Sequence, residues 1–214
     1  MKKLIAAFFA TVMLSATAQA ATTTFDFLSG SNGNIGWTTG NLNYTSNGLS
    51  MSASSARYSN GGVYDSGYIR QYNGHGLTVY NGHNDAHYID GRGYNDVVYF
   101  DFGTQEVQLK SVTFKYFDGG DRFALFADSD NDGSLELING SLNANPSDTY
   151  TFLTPYLFSG TEFGIGALGY YDDFKIASMT VEAISAVPLP AALPLYAAGV
   201  ALLGFVGYRR KKSA

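Results

Sequence analysis

The stretch from residue 189 to residue 208 constrains the fold of this chain more than any other segment. It contains no charged side chain, and about 20 uncharged residues are what an α-helix needs to cross the hydrocarbon core of a membrane. Four cations follow it directly: Arg209, Arg210, Lys211 and Lys212. Because Lys and Arg stay on the cytoplasmic side, the chain before the stretch is expected to face outward. These features alone predict a C-terminal membrane anchor.

The N-terminus has the pattern of a secretory signal peptide over residues 1–20. Two lysines form the positive n-region, and residues 4–14 form the apolar h-region. Ala18 and Ala20 make a small-x-small cleavage site before Ala21. A second transmembrane helix is the alternative, but the apolar run is short for one. We expect signal peptidase to release a mature chain that begins at Ala21.

A short proline-punctuated motif precedes the uncharged stretch, so that motif, stretch and basic end together occupy residues 187–214. This order resembles the VPLPA variant of the PEP-CTERM class of bacterial sorting signals. The motif residues are Val187, Pro188, Leu189, Pro190 and Ala191. In that family a membrane-embedded exosortase recognises the tail, cuts near the motif and releases the protein to the cell envelope or outside. The resemblance implies that the protein is anchored transiently in the inner membrane and then sorted to the envelope or outside. It implies no activity.

Residues 21–186 form the body of the chain, which is long enough for one domain with a sizeable core. The two ends hold six of the thirteen Lys and Arg and none of the eighteen Asp and Glu, so the body has a net charge of −11. That charge disfavours nucleic acid and anionic surfaces as partners and suits a domain that binds divalent cations. The chain has no cysteine, so a large core or bound metal must replace the disulfides of many secreted domains.

Alternating apolar residues predict an all-β body. The pattern is clearest over residues 107–117, where Val112, Phe114 and Tyr116 are expected to share one face. Over residues 174–181 the alternation slips by one position, which predicts a β-bulge near Ala177 or Ser178.

Further short strands are predicted between Gly- and Asn-rich turns, whereas residues 29–48 are expected to be partly irregular. The predicted strands are 25–28, 49–53, 77–80, 97–102, 123–127, 135–138 and 163–165. Many short strands at near-regular spacing favour an antiparallel two-sheet sandwich of jelly-roll type.

The acidic segment 128–136 is the sharpest local motif. Asp128, Asp130 and Asp132 alternate before Gly133, as in the Asp-rich half of a calcium-binding loop. Glu136 completes the candidate ligand set. Position twelve of the loop is Asn139, whereas an EF-hand has a glutamate there. Leu135 is expected to be buried. The flanks are predicted strands, so a calcium-binding β-turn is expected. An acidic hairpin turn without metal is the alternative.

Gly164, Gly166 and Gly169 spell a dinucleotide-binding fingerprint, which requires a strand that turns into a helix. Here a tyrosine pair, a second strand and the tail follow, so the glycines are interpreted as strand and turn residues. His83 and His87 have the spacing of a zinc pair on a helix, but the segment is predicted to be a turn that enters a strand.

Asp90 and Asp96 belong to a stretch, residues 76–98, that resembles a pattern in other exported PEP-CTERM proteins, with no activity attached to it. Their carboxylates could bind a second ion, or accept hydrogen bonds from backbone amides in turns. The sequence leaves both alternatives open, with the second favoured.

The chain lacks a GxSxG elbow, a cysteine nucleophile and an HExxH motif, so no enzyme is expected. The predicted role is that of a structural or adhesive component of the cell surface or of an extracellular polysaccharide matrix such as a biofilm. A carbohydrate-binding module is the alternative, because exposed Tyr and Trp can stack on sugars. A glycan-active hydrolase is the third possibility, although sequence cannot set the separation of two carboxylates.

Overall fold

The structure is a computed structural model that describes residues 21–28, 34–82, 85, 87–130 and 132–184. These residues form sixteen β-strands and contain no helix. The strands are β1 (Thr22–Asp26), β2 (Ile35–Thr38), β3 (Leu42–Ser46), β4 (Leu49–Ser59), β5 (Gly62–Asp65), β6 (Tyr68–Tyr72), β7 (Gly76–Tyr80), β8 (Ile89–Asp90), β9 (Asn95–Asp101), β10 (Val107–Lys115), β11 (Phe123–Ala127), β12 (Glu136–Leu142), β13 (Thr149–Thr151), β14 (Ser159–Gly160), β15 (Glu162–Gly166) and β16 (Asp173–Ala183). Within these described ranges, no helix could span a membrane. The predicted signal peptide, 1–20, and sorting tail, 187–214, lie outside them.

The strands divide into two antiparallel sheets. The first sheet has the order β13-β10-β16-β7-β6-β2, with β1 and β8 also paired to β16 and β14 to β10. The second has the order β12-β11-β15-β9-β4-β3, with β5 beside β4. The long strand β16 organises the first sheet, since β7 and β8 pair near its start and β1 pairs near its end.

A core rich in phenylalanine joins the two sheets. Ten of the twelve Phe residues in the described chain are buried in it, and Phe158 packs against it. Rings from opposite sheets touch, because Phe114 of β10 lies 4.9 Å from Phe123 of β11. Burial of each such ring contributes about 1.5–3 kcal/mol. The body is therefore an all-β sandwich, as the alternation predicts, and it has a large core in place of disulfides.

The predicted β-bulge in β16 is confirmed at Ala177. Ser178 lies opposite Thr113 of β10 and Ile176 lies opposite Phe114, so Ala177 is the extra residue between them. The bulge keeps the buried side chains on the inner face on both sides of the slip.

Tyr116 does not share the inner face with Val112 and Phe114, so that part of the prediction is wrong. Strand β10 ends at Lys115, and Tyr116 has a φ of 62°, in the left-handed region. This backbone turns the side chain outward, where 46% of it is exposed, and Phe117 enters the core instead.

The less regular first half is more ordered than the sequence indicates. Strands β2 and β3 lie within residues 29–48, which were expected to be partly irregular. The strand predicted over 25–28 is β1, which begins at Thr22 and ends at Asp26.

Candidate functional site

Residues 128–136, the acidic loop, connect β11 to β12 at one edge of the second sheet. The flanks are strands, as predicted. Oδ1 of Asp128 accepts a hydrogen bond from the N–H of Asp132 at 3.1 Å, and Oδ2 accepts one from the N–H of Gly133 at 3.0 Å. Gly133 has a φ of +85°, where a Cβ would be strained. Asp128 and Gly133 thus fix the sharp turn.

The structure brings the four predicted ligands of the acidic loop together. One carboxylate oxygen from each of Asp128, Asp130, Asp132 and Glu136 lies within 4.8 Å of the others. Glu136 reaches back across the loop, where its Oε2 accepts hydrogen bonds from the N–H and the hydroxyl of Ser129 at 2.8 and 3.0 Å. Hard oxygen donors of this kind are those that Ca²⁺ takes, about six to eight at a time. The donor set therefore fits a hard divalent cation, with other ligands to complete the shell.

Leu135 anchors the acidic loop to the second sheet, and its predicted burial is confirmed. Its side chain is buried in a small cluster with Val97 and Phe126. Their strand neighbours Val98 and Leu125 belong to the main core. Because successive side chains of a strand point to opposite faces, this cluster lies on the outer face of the second sheet.

A cleft of about 840 Å³ lies beside the acidic loop. Gly133 to Glu136 line one side of it, and the β4–β5 hairpin lines another, with Asp65 and the half-exposed Tyr64. Tyr99 and Glu162 also line it. Burial, with a hydrogen bond to Glu162, raises the pKa of the Tyr99 hydroxyl. The cleft therefore collects carboxylates and tyrosines, the side chains that a glycan-binding or glycan-cutting site would use.

Asp90 and Asp96 hold loops together through backbone amides, which is one of the two alternatives that the sequence leaves open. Asp90 accepts a hydrogen bond from the N–H of Arg92 at 2.7 Å, and Asp96 accepts one from the N–H of Asp90 at 3.3 Å. Asp96 also accepts one from the amide of Asn81 at 2.6 Å. Burial raises the pKa of Asp96 to about 8. Asp85 brings a third carboxylate oxygen within 4.8 Å of this pair.

The three glycines of the apparent dinucleotide fingerprint lie in a strand and a turn. Gly164 and Gly166 belong to β15, and the chain then turns into strand β16 rather than a helix. A Cβ on Gly166 would lie 2.4 Å from the backbone oxygen of Asp96. Gly169 donates its N–H to Asp172 at 2.8 Å. These glycines serve close strand packing and a turn, as interpreted from the sequence.

Eight polar rings cover part of the outer surface of the first sheet and form what we call the polar aromatic face. Neighbouring ring centroids lie 5.1 to 6.5 Å apart, so the set is continuous. Every ring carries an oxygen or nitrogen, in contrast to the phenylalanine of the core. The members are Trp37, Tyr68, Tyr72, His75, Tyr80, His87, Tyr88 and Tyr116.

Sequence reasoning did not find the polar aromatic face, because its members come from distant segments. One signal was present: most of the tyrosines between residues 37 and 88 avoid the positions at which strand side chains point into the core. Trp37 depends on an irregular pairing, in which Ile35 and Thr38 lie opposite Gln71 and Ile69, so that two residues of β2 face one of β6. This extra residue turns Trp37 outward.

No family model matches this chain, and neither a curated protein nor a solved structure does. Function is therefore inferred from the residues and their geometry. His83, the other half of the histidine pair, lies outside the described residues, and His87 packs 5.1 Å from Trp37. The predicted sorting residues at 187–191 and 209–212 also lie outside them, as do Ala18 and Ala20.

Proposed function

We propose that this protein is an exported, non-enzymatic β-sandwich with a structural or adhesive role at the cell surface or in an extracellular polysaccharide matrix. The polar aromatic face carries this proposal, because it presents amphipathic rings over an open sheet surface. Signal peptidase and an exosortase would process the ends, and residues 187–214 would hold the chain in the inner membrane until then. We take the sandwich to be of jelly-roll type.

Polar rings suit attachment to glycans for a physical reason. Tyr and Trp bury an apolar face while the hydroxyl or N–H keeps a hydrogen-bond partner, so a sugar can pack on the ring and bond along its edge. The rings are not coplanar, since Trp37 is inclined by 86° to Tyr72 and by 54° to Tyr80. Such a tilted set fits a flexible polymer better than a flat crystalline lattice.

We also propose that the acidic loop binds Ca²⁺ weakly, with a dissociation constant of roughly 10⁻⁴ to 10⁻³ M as in extracellular modules. Four carboxylates within 4.8 Å of one another repel when no cation shields them. The ion would supply charge neutralisation that stabilises this edge of the second sheet. Asp128 and Glu136 would hold it from the strand side, and Asp130 and Asp132 from the tip.

A carbohydrate-binding module with one defined glycan is the second candidate. Arg70 and Lys175 lie against Trp37, Tyr72 and Tyr88 of the polar aromatic face, which favours it, because charge can select among glycans. A glycan-active hydrolase would use the cleft and its carboxylates Asp65, Glu136 and Glu162. Glu136 is hydrogen-bonded to Ser129, and Glu162 is hydrogen-bonded to Tyr99. These bonds favour a structural role for the two carboxylates over acid–base catalysis.

Full-length protein applied to a glycan array, with calcium and in excess chelator, tests the proposal. A structural or adhesive role predicts retention on several matrix polysaccharides, and a binding module predicts retention on one class. Shortening of the bound glycans would indicate the hydrolase. Absence of retention on every glycan under both conditions would overturn the adhesive role.

A further inference from the structure

We propose that the polar aromatic face binds an acidic polysaccharide, with sugar rings packed on Trp37 and its tyrosine neighbours and a uronate carboxylate paired with Arg70. The inference rests on the proposed adhesive role and names its ligand class. It depends on three features of the face: the kind of ring, the place of the cations and the geometry of Arg70.

The rings of the face differ chemically from those of the core. Ten of the eleven buried rings of the main core are Phe and the other is Tyr44, whereas the face uses only Trp, Tyr and His. An outer surface that needed only packing would not require a polar atom on every ring. Tyr68 and Tyr116 are 43% and 46% exposed, so two well-separated rings of the set are open to a ligand.

Cations are concentrated on this outer surface although the body is strongly acidic. Arg70, Lys115 and Lys175 are three of only seven Lys and Arg in residues 21–186. Lys115 and Lys175 lie directly opposite each other on β10 and β16, so their side chains leave the sheet about 5 Å apart. Like charges in that position are destabilising, which a bound anion would relieve.

Lys175 contributes electrostatic attraction to an anionic ligand rather than a direct contact with it. Its ammonium lies 4.7 Å from the ring centre of Tyr72 and 4.8 Å from that of Tyr88. Its side chain is buried, and this burial, with the nearby Arg70, lowers the pKa of Lys175. Arg70 and the exposed Lys115 are therefore the cations that a ligand can reach.

Arg70 is held in place by two rings of the face and has no ion pair among the described residues. Its guanidinium lies 4.1 Å from the ring centre of Tyr72 and 5.5 Å from that of Trp37. Its Nη1 donates a hydrogen bond to the Tyr72 hydroxyl at 3.1 Å. Among the described residues, no carboxylate lies within 4.0 Å of the guanidinium. The carboxylate of Asp173, two residues before Lys175, has Arg92 at 4.0 Å. A planar guanidinium matches a carboxylate with two parallel hydrogen bonds.

A uronate polymer fits these features better than a nucleic acid. Each uronate unit offers an apolar ring face for stacking and a carboxylate for Arg70. Tyr and Trp also stack on nucleobases, but the proposed export of the body brings this face to matrix polysaccharides rather than to nucleic acid, and its three cations locally offset the net charge of −11. The ligand class is therefore an acidic glycan.

Binding of full-length protein to immobilised polygalacturonate, and to the same polymer after reduction of its carboxylates, tests this inference. Excess chelator prevents calcium from bridging the polymer to the acidic loop. We expect polygalacturonate to bind at least about tenfold more tightly than the reduced polymer, and Arg70→Gln to remove most of that preference. Arg57→Gln is the matched control, because Arg57 lies 5.1 Å from the ring of Tyr94 on the second sheet; it should leave the preference unchanged.

Tyr116→Ala, at an exposed ring, should weaken binding to both polymers, and unchanged melting curves would show that the variants fold. Equal binding of the two polymers would overturn the acidic ligand but leave the adhesive role intact. An unaltered preference in Arg70→Gln would overturn the assignment to this face. Tighter binding of an oligothymidylate than of polygalacturonate would overturn the acidic glycan and indicate a nucleic acid as the ligand. Binding to no polymer, either here or on the glycan array, would overturn the adhesive role as well.

Discussion

Carboxylates do two kinds of work in this molecule at the scale of single residues. Some fix backbone: Asp172 accepts hydrogen bonds from the N–H groups of Gly169 and Arg122 at 2.8 and 3.0 Å. Burial raises the pKa of Asp172. Others gather charge, as in the acidic loop. Asp128 does both, whereas the exposed Asp130 lies at the tip, where a cation would meet it.

Calcium is expected to raise the melting temperature of the full-length protein by several degrees, measured by circular dichroism. At about 100 times the dissociation constant, linkage adds about 2.7 kcal/mol to the free energy of unfolding. Asp130→Ala should remove most of the difference between calcium and chelator, and it should leave the melting temperature in chelator unchanged or slightly raised, because one of the repelling carboxylates is gone. Asp128→Ala should lower the melting temperature in calcium and also in chelator, because the N–H groups of Asp132 and Gly133 lose their hydrogen-bond acceptor.

Magnesium is the matched control, and it should substitute poorly because it demands a tighter octahedral shell. If the wild-type protein melts at one temperature in saturating calcium and in excess chelator, the acidic loop is only a turn.

Strand β15 shows at the scale of elements how closely neighbouring strands approach in the second sheet. A Cβ on Gly164 would lie 3.0 Å from the Cβ of Phe126, and one on Gly166 would lie 2.4 Å from the backbone oxygen of Asp96. Side chains at these two positions would push β15 away from its partners β11 and β9. The glycines therefore set the packing of the sheet that carries the acidic loop.

Gly166→Ala is expected to lower the free energy of unfolding by about 1–3 kcal/mol, since a methyl group there overpacks against backbone. Gly160→Ala in β14 is the control, because its Cβ would meet nothing closer than 3.8 Å; its effect should stay within about 0.5 kcal/mol. Urea denaturation of the two variants measures both. Equal effects would mean that β15 can move aside.

The strands and the acidic loop could be predicted from sequence because their signals are local. Alternation predicts β10 and β16, and the slip at Ala177 predicts its bulge. The polar aromatic face could not be predicted, because it collects residues from 37 to 116 and depends on how β2 pairs with β6. Tyr116 was assigned to the wrong face for a related reason, since one left-handed residue ends the alternation.

At the scale of the whole molecule, the two sheets offer different surfaces. The outer face of the first sheet carries polar rings with Arg70 and Lys175, and an edge of the second carries the acidic loop. In the proposed function both surfaces face the extracellular matrix, because the proposed export places the body outside the cytoplasm. That placement depends on the signals at residues 1–20 and 187–214.

Export with processing at both ends is the central claim, and mass spectrometry of the protein recovered from the cell envelope and the medium tests it most directly. The recovered chain should begin at Ala21 and yield no peptide from residues 193–206. Replacing residues 188–191, or deleting 209–212, should leave unprocessed protein in the inner membrane. An extracellular chain that begins at Met1, or that still contains residues 193–206, would contradict the claim.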